Sequence, residues 1–224
     1  MNQGLVEKIM DQPDALVLIE RLNANVREEH ARRLSFYEWI DEHTKAEFIN
    51  GQVVIHSPVK RKHWKITDLL SSLMSIYVRI KGLGVVGTEK VMVALTRNDY
   101  EPDIVFFKAE KAAAFTPDQV LFPAPDLAVE VLSKKTEKVD RVIKKADYAA
   151  HGVQEYWIID PNKQVIEQYL LVQPTDKSYF EQPFRHGPGD EISSKVIPGF
   201  TIPVQAIFDE QANVAALQAL MAGA

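Results

Sequence analysis

The chain has 224 residues, of which 46% are hydrophobic and 25% are charged, and this composition predicts an ordinary globular core. It contains no cysteine, which excludes disulfides, thiolate metal sites and cysteine nucleophiles. The formal net charge of −5 argues against nucleic-acid binding over the whole surface but leaves room for a local basic groove. No run approaches the length of a membrane span and no signal-peptide pattern opens the chain, so we expect a cytoplasmic protein without membrane contact.

The N-terminal part of the chain predicts helices. Residues 3–33 have an amphipathic pattern in which Pro13 can open a helix, and we expect this segment to form a clasp or an oligomer contact. Ser35 is a candidate cap for a second, short helix in SFYEWIDEH. We therefore assign residues 1–34 to an N-terminal helical extension.

A β-hairpin and a helix follow. Asn50-Gly51 lies between the two apolar arms of AEFINGQVVIHSP, and this dipeptide is the strongest short hairpin signal. Apolar residues then recur at steps of three and four from Ile66 to Val78, which predicts a helix that ends at Gly82.

The segment from 64 to 160 predicts the order helix, strand, strand, strand, helix, strand. The three successive strands are VVGTEKVMVAL, DIVFF and DLAVEVL, after which a helix capped by Thr136 leads to the strand VQEYWIID. A meander followed by a crossover helix gives an α/β fold of the α+β kind with one mixed sheet, and we expect flanking hairpins to extend that sheet. Residues 35–208 would then form the main domain, and residues 209–224 a C-terminal helix or tail.

Two of the most clearly predicted apolar strands each contain an acidic residue. Asp103 opens DIVFF and Glu130 lies inside DLAVEVL, although burying a carboxylate in hydrocarbon is costly unless something pairs with it. If the two strands are neighbours, both carboxylates can reach one place. Two hard oxygen ligands, completed by water and a backbone carbonyl, suit Mg²⁺ or Mn²⁺, which would also offset the two charges.

The helix that follows supplies a cation. Asp140, Lys144 and Tyr148 are spaced by four residues and share one helix face, so Lys144 can point towards the sheet with Tyr148 beside it. A lysine at this place could orient a water molecule or neutralise charge that develops on a phosphate. Glu47, on the first hairpin arm, could join as a third acid.

Basic residues cluster in two segments. The first is VKRKHWK at residues 59–65 and the second runs from Lys134 to Lys145; they could border a nucleic-acid groove or simply be solvated faces. His63 could contact a phosphate, help at the acidic site or cap its helix locally, and Ser133 could donate a hydrogen bond near its strand end. The residues that we expect to contact a nucleic-acid backbone are Lys60, Arg61, Lys62, His63, Lys65, Lys134 and Lys135.

The segments EPDIVFF, PDLAVEVLS and DRVIKKADYAAHGVQEYWIIDP resemble the Uma family, whose members are assigned as bacterial endonucleases. AEFINGQVVIHSP and His63, which follows it, fit the same family, and the likeness covers residues 35–172. The Uma family belongs to the PD-(D/E)XK, or restriction endonuclease-like, superfamily. The resemblance implies a core of helix, three-stranded meander, helix and strand. It also implies that Asp103 and Glu130 are metal ligands, with the backbone carbonyl of Val131 completing the inner shell.

The chain departs from the family signature at one position. Leu132 stands two residues after Glu130, where the D/E-X-K signature has a lysine, and the resemblance implies that Lys144 on the following helix is its substitute. Glu47 is similar to the additional N-terminal acid of the superfamily. The implied catalytic set is therefore Asp103, Glu130, Lys144 and Glu47, with Tyr148 and Ser133 as supporting residues.

Three functional hypotheses follow. The first is an endonuclease that depends on Mg²⁺ or Mn²⁺ and hydrolyses phosphodiester bonds in nucleic acid, with DNA as the expected substrate and a homodimer that places two sites on two strands. The second is a catalytically inactive binding or assembly protein on the same scaffold, which the net acidity and the missing strand lysine favour. The third is a phosphodiesterase that acts on small molecules.

Overall fold

The computed structural model describes residues 3–41, 43–173 and 178–223. The helices are α1 Gln3–Met10, α2 Ala15–Trp39, α3 Arg61–Lys81, α4 Ala109–Ala112, a π-helix Val139–Lys144 that continues into α5 Lys145–Ala150, a 3₁₀-helix Val204–Ile207 and α6 Glu210–Ala222. The strands are β1 Ala46–Ile49, β2 Gln52–Ile55, β3 Gly84–Thr88, β4 Met92–Ala94, β5 Asp99–Tyr100, β6 Ile104–Lys108, β7 Leu121–Phe122, β8 Leu127–Val131, β9 Glu155–Asp160, β10 Val165–Val172, β11 Tyr179–Phe180, β12 Phe184–His186, β13 Glu191–Ser193 and β14 Thr201–Pro203.

The N-terminal helix α2 runs through the position at which the sequence predicted a new helix. Ser35 is an interior residue of α2, so its assignment as a cap is wrong. The helix continues because Phe36, in its last turn, is buried against Phe48 with ring centroids 5.8 Å apart. Since α2 crosses residue 34 without a break, the division of the chain at that residue stays a prediction, as does the division at 208.

The predicted hairpin forms, but in a separate sheet. Asn50 and Gly51 both have positive φ angles, 49° and 79°, as a type I′ turn requires, and β1 pairs with β2 on either side. β1 also pairs with β5, which gives a five-stranded sheet in the order β2-β1-β5-β4-β7. The expectation that this hairpin extends the main sheet is therefore wrong.

The segment VVGTEKVMVAL forms two strands instead of one. Glu89 and Lys90 have φ angles of 43° and 40°, a left-handed conformation that turns the chain between β3 and β4. β3 enters the main sheet and β4 the smaller one.

The main sheet confirms the predicted core. Its principal order is β11-β10-β9-β8-β6-β3, in which β3, β6 and β8 form an antiparallel meander. β9 then pairs parallel to β8 after the crossover through the π-helix and α5. A C-terminal flanking hairpin does extend this sheet as expected, since β11 and β12 both pair antiparallel with β10.

The two faces of the main sheet bury different clusters. Ile104 and Val129 face α3 in the larger core, whereas Val105 and Ala128 face α5 and its tyrosines. Because side chains alternate along a strand, odd positions of β6 and even positions of β8 point towards α5. This alternation decides where the two strand acids lie.

The C-terminal part is fixed to the main sheet through a buried carboxylate. Glu155 on β9 is fully buried and accepts hydrogen bonds at 2.6–3.1 Å from three side chains and two backbone N–H groups. The donors are Trp157 Nε1, Gln168 Nε2, Ser194 Oγ, Lys195 N and Val196 N. Beyond this anchor, Asp209 caps α6, which packs against α3. No helix in the described ranges has the length and apolarity to span a bilayer.

Candidate active site

The two strand acids lie on the same face of the main sheet. Ile104 pairs with Val129 in the antiparallel register of β6 and β8, and one further step places Asp103 opposite Glu130. Directly opposed residues of an antiparallel pair point to the same face. By the alternation described above that face is the one covered by α5, and both carboxylates are buried.

Asp103 is held by contacts from three directions. Its Oδ2 accepts a hydrogen bond from the backbone N–H of Val131 at 2.7 Å and lies 3.3 Å from His63 Nε2, while its Oδ1 lies 3.6 Å from Lys45 Nζ. Burial by itself would raise the pKa of Asp103, but His63, Lys45 and the Val131 N–H together lower it. Asp103 is therefore an ionised carboxylate whose position is fixed by the neighbouring strand.

Lys144 lies at the centre of an acidic cluster. Its Nζ is 2.8 Å from Glu47 Oε1, 2.9 Å from Glu130 Oε1 and 3.5 Å from Asp140 Oδ1. The π-helix widens the turn that carries Asp140 and Lys144, and both side chains are buried. Residues that are far apart in sequence thus meet at one ammonium group.

Lys144 carries the positive charge of this cluster. Burial by itself would lower its pKa, but the carboxylates of Glu130, Glu47 and Asp140 raise the pKa of Lys144 well above its usual value. Glu47 is the ionised partner: burial opposes ionisation, yet Lys144 and His56 lower the pKa of Glu47 to about 2.

The pKa of Glu130 shifts in the opposite direction from that of Glu47. Burial, together with the negative charge of Asp140, Asp103 and Glu47, raises the pKa of Glu130 well above its usual value in spite of Lys144. The cluster therefore contains more carboxylate than its one buried ammonium can neutralise, and an added cation would be favourable there.

Three buried tyrosines lie beneath the cluster. The ring of Tyr100 lies 5.5 Å from Lys144 Nζ and packs edge-on against Tyr148, whose hydroxyl donates to Glu130 Oε1 at 3.2 Å. Tyr156 packs against Tyr148 in turn and donates to the backbone carbonyl of Asp140 at 3.1 Å. These rings fix the height of Lys144 above the sheet.

The structure adds residues that the sequence analysis did not assign to the site. Lys45 and His56 continue the hairpin register beyond β1 and β2, and the backbone N–H of His56 donates to the Lys45 carbonyl at 2.9 Å. His56 Nε2 lies 3.0 Å from Glu47 Oε2, in poor alignment for a hydrogen bond. Lys45, Glu47 and His56 share one face of the hairpin. The register set by the Asn50-Gly51 turn could therefore have predicted that these three side chains lie together.

Glu101 is a further acid at the same edge. Its backbone N–H donates to Glu47 Oε1 at 2.9 Å, and its own Oε2 is buried without a hydrogen-bond partner. Burial raises the pKa of Glu101 to about 7, against the opposing effect of Lys45.

The predicted basic residues are exposed in five cases, and only His63 among them contacts an acid of the site in the described part of the chain. Lys60, Arg61, Lys62, Lys134 and Lys135 are exposed, and Lys135 Nζ lies 3.1 Å from Ser57 Oγ, which brings the two basic segments together. His63 is instead buried and faces Asp103.

Three other predicted residues have local partners. Lys65 pairs with Glu210 at 2.7 Å and Lys62 contacts Asn162, whereas Ser133 contacts Thr136 and not the carboxylates. The exposed residues nevertheless form a basic rim, which we define as Lys60, Arg61, Lys62, Lys134 and Lys135.

The donor set fits a hard divalent cation in its chemistry. Within residues 3–41, 43–173 and 178–223, no three acidic or histidine side chains are already arranged as a metal cage. Asp103 and Glu130 nevertheless present carboxylates from adjacent strands, which are the ligands that Mg²⁺ and Mn²⁺ take. A bound cation would oppose the burial and the neighbouring carboxylates that raise the pKa of Glu130, because it would take the place of the proton.

Comparison with known proteins agrees with this architecture. The solved structure of a putative nuclease belonging to DUF820 from Anabaena variabilis ATCC 29413 is 18% identical, with a TM-score of 0.63 over 77% of this chain and 94% of that chain. At this identity the likeness shows a shared fold. No curated protein matches the chain. The family Uma2, described as putative restriction endonuclease, matches residues 29–205, so the resemblance seen in the sequence is confirmed and the chain belongs to the Uma2 family.

Proposed function

We propose that the protein is a metal-dependent endonuclease that hydrolyses phosphodiester bonds in DNA. The observation that carries the proposal is the convergence of Asp103 and Glu130 on one face of the sheet, beside an ammonium group that joins Glu130 to Glu47. Membership of the Uma2 family supports nuclease chemistry in general. Within that chemistry, we propose DNA as the substrate and Mg²⁺ or Mn²⁺ as the ion.

Each residue has a chemical role in this proposal. Asp103 and Glu130 would hold the ion, with the backbone carbonyl of Val131 as a third oxygen. When bound, the ion supplies Lewis-acid activation of water and neutralises charge on the phosphate. Lys144 and Glu47 keep the carboxylate of Glu130 in place, and Tyr148 supports the same oxygen through its hydroxyl.

The reaction is a hydrolysis at phosphorus. The oxygen of a water molecule forms a bond to phosphorus, and the bond from phosphorus to one ester oxygen breaks. Of the two water protons, one ends on the leaving oxygen and the other passes to solvent or to the new phosphomonoester. The products are a phosphomonoester and a hydroxyl group, so one strand is cut and no cofactor is consumed.

The basic rim supports a polymeric substrate. Exposed lysines and arginines bind phosphates without reading the base sequence. The five rim residues are all exposed, with Lys135 Nζ in contact with Ser57 just before the first basic segment. Together they favour a nucleic acid over a small phosphodiester. A cytoplasmic location belongs to the same proposal, because that is where such a substrate is found.

A homodimer would place two sites on the two strands of a duplex. Helix α1 and the first half of α2, up to residue 26, expose seven large apolar side chains, which favours them as the contact. They are Leu5, Val6, Met10, Leu16, Val17, Leu22 and Val26. Light scattering at several concentrations tests this: we expect a dimer that Leu22→Glu with Val26→Glu converts to monomer.

Plasmid nicking tests the activity. With Mg²⁺ or Mn²⁺ the wild type should convert supercoiled DNA to nicked circles, EDTA should stop the reaction, and Glu130→Gln should abolish it. Lys163→Met is the matched control, since Lys163 is 74% exposed and pairs only with Asp160 at 3.4 Å among its salt bridges. Parallel assays with RNA and with dinucleotides separate DNA from the other substrates.

One observation favours an inactive binding protein as the second candidate. Leu132, which stands where the family signature has a lysine, is buried and contributes only to the core. That candidate predicts DNA binding without turnover under every divalent ion, and binding that Glu130→Gln leaves unchanged.

A further inference from the structure

The two lysines at the site differ in what their ammonium groups can reach. The Lys144 side chain is 2% exposed, and its Nζ faces three carboxylates at 2.8, 2.9 and 3.5 Å. Two of these carboxylates lie at hydrogen-bond distance, and the third, Asp140, faces the ammonium group without a hydrogen bond, so Lys144 is enclosed by carboxylates. A phosphate oxygen could contact Lys144 only by displacing one of them.

Lys45 is in the opposite situation. Its side chain is 20% exposed, and its Nζ lies 3.6 Å from Asp103 Oδ1, which is too long for a hydrogen bond. Within the described residues its ammonium donates no hydrogen bond, so its donors remain available to a ligand that approaches Asp103.

The position of Lys45 is fixed although its ammonium group is not. The residue directly precedes β1, and its carbonyl accepts the backbone N–H of His56 at 2.9 Å. The hairpin therefore fixes the backbone from which the side chain extends, and the Nζ ends 3.6 Å from Oδ1 of Asp103. A rigid base with a free charged end is the arrangement that suits recognition of a phosphate.

The charges around the site favour a second cation at this place, beside the proposed metal ion. Asp103, Glu47 and Glu101 form an acidic edge that would repel a phosphate, and Lys144 is too deeply buried to offset it. The position at which the family signature has a lysine is filled by the apolar Leu132. Lys45 is the cation adjacent to Asp103 on the side that solvent reaches.

We propose that Lys45 is the residue that contacts the scissile phosphate, while Lys144 acts as a positioning residue for Glu47 and Glu130. The inference rests on the proposed function and names the catalytic contact within it. As the bond from water to phosphorus forms and the bond to the leaving ester oxygen breaks, negative charge grows on the non-bridging oxygens. Lys45 donates an N–H to one of these oxygens and stays protonated throughout, so the proton balance of the hydrolysis is unchanged.

The test compares Lys45→Met and Lys45→Arg with wild type, with Lys163→Met as the control for loss of a lysine charge. Cleavage of a defined duplex should show a fall in kcat of about 10²–10³ for Lys45→Met, with KM changed by less than about threefold. Lys45→Arg keeps the charge and should restore at least about a tenth of the activity. All three variants should unfold at the wild-type temperature.

A second readout does not depend on cleavage. Equilibrium binding of the same duplex in EDTA, measured by fluorescence anisotropy over a range of salt concentrations, counts the phosphates that the protein neutralises. The slope of log K against log salt should decrease in magnitude by about 0.9 for Lys45→Met, the value for one phosphate on duplex DNA, and remain at the wild-type value for Lys163→Met.

The outcomes separate this inference from the proposed function. If the wild type cuts and Lys45→Met keeps kcat within about threefold, Lys45 is not the phosphate contact although the protein is a nuclease. Loss of activity in both Lys45 variants with an unchanged slope also overturns the inference, because it indicates a structural role. If the wild type never cuts, the nuclease proposal fails, and the salt slope alone then supports or overturns the phosphate contact.

Discussion

Replacing Lys144 by methionine removes the buried charge on which the acidic cluster depends. The substitution keeps the length and apolar volume of the side chain but leaves Glu47, Glu130 and Asp140 buried without their shared cation. Removing one partner of a buried ion pair costs about 3–5 kcal/mol, because the other partner stays buried and unpaired. For a chain of this length, that loss lowers Tm by roughly 6–20 °C.

The loss should depend on pH. Without Lys144 the three carboxyl groups have raised pKa values in the folded state, so they bind protons that the unfolded chain has released. The stability contributed by these protons is present at low pH and is lost as pH rises through the folded-state pKa values. Lys144→Met should therefore be closer to wild type at pH near 5 than at pH near 8.

Urea unfolding followed by circular dichroism at both pH values measures the effect, with Lys163→Met as the exposed control. A loss below about 1 kcal/mol at pH 8 would refute the reasoning, since it would match an exposed ion pair. An equal loss at the two pH values would show that the carboxylates do not depend on Lys144 for their charge.

Three further predictions concern the same structure. Mg²⁺ at about 100 times its Kd should stabilise the wild type by about 2.7 kcal/mol in a thermal-shift assay, and Asp103→Asn should lose this effect; stabilisation that persists in the variant contradicts the assigned ligand. Because the pKa of Glu101 is raised to about 7, its contribution to stability is present below its unfolded value and lost as pH rises through 7, so Glu101→Gln should flatten the fall in urea stability over that range. Glu155→Ala removes the acceptor of five hydrogen bonds, of which only the donors Gln168 Nε2 and Val196 N keep a second acceptor within the described residues, and it should cost at least about 3 kcal/mol in urea unfolding, more than Glu155→Gln, which keeps one acceptor oxygen.

The parts of the fold that depend on local sequence were predictable. Asn50-Gly51 specified its turn because both residues tolerate positive φ, and the meander was evident because its strands follow one another in sequence. The prediction of a helix cap at Ser35 was wrong because capping preference is a local property. The helix continues because the next residue, Phe36, is buried against Phe48, which lies in a later strand. The smaller sheet was missed for the same reason, since β1 and β5 are distant in sequence.

The candidate site was partly predictable. The acids stood out because they interrupt apolar strands, and Lys144 because it lies four residues from both Asp140 and Tyr148. Lys45 could have been found by extending the hairpin register, which places it beside Glu47. The π-helix has no comparable signal in the sequence, because its wider turn is stabilised by contacts with Glu130 and the neighbouring tyrosines.

The residues of the cluster around Lys144 come from three separate parts of the fold. Glu47 belongs to the smaller sheet, Glu130 to the main sheet and the lysine to the crossover helix. The cluster therefore forms only when the hairpin, the main sheet and the crossover helix have packed together. Any loss of packing between the two sheets would separate Glu47 from Lys144 and Glu130 and leave the proposed site incomplete.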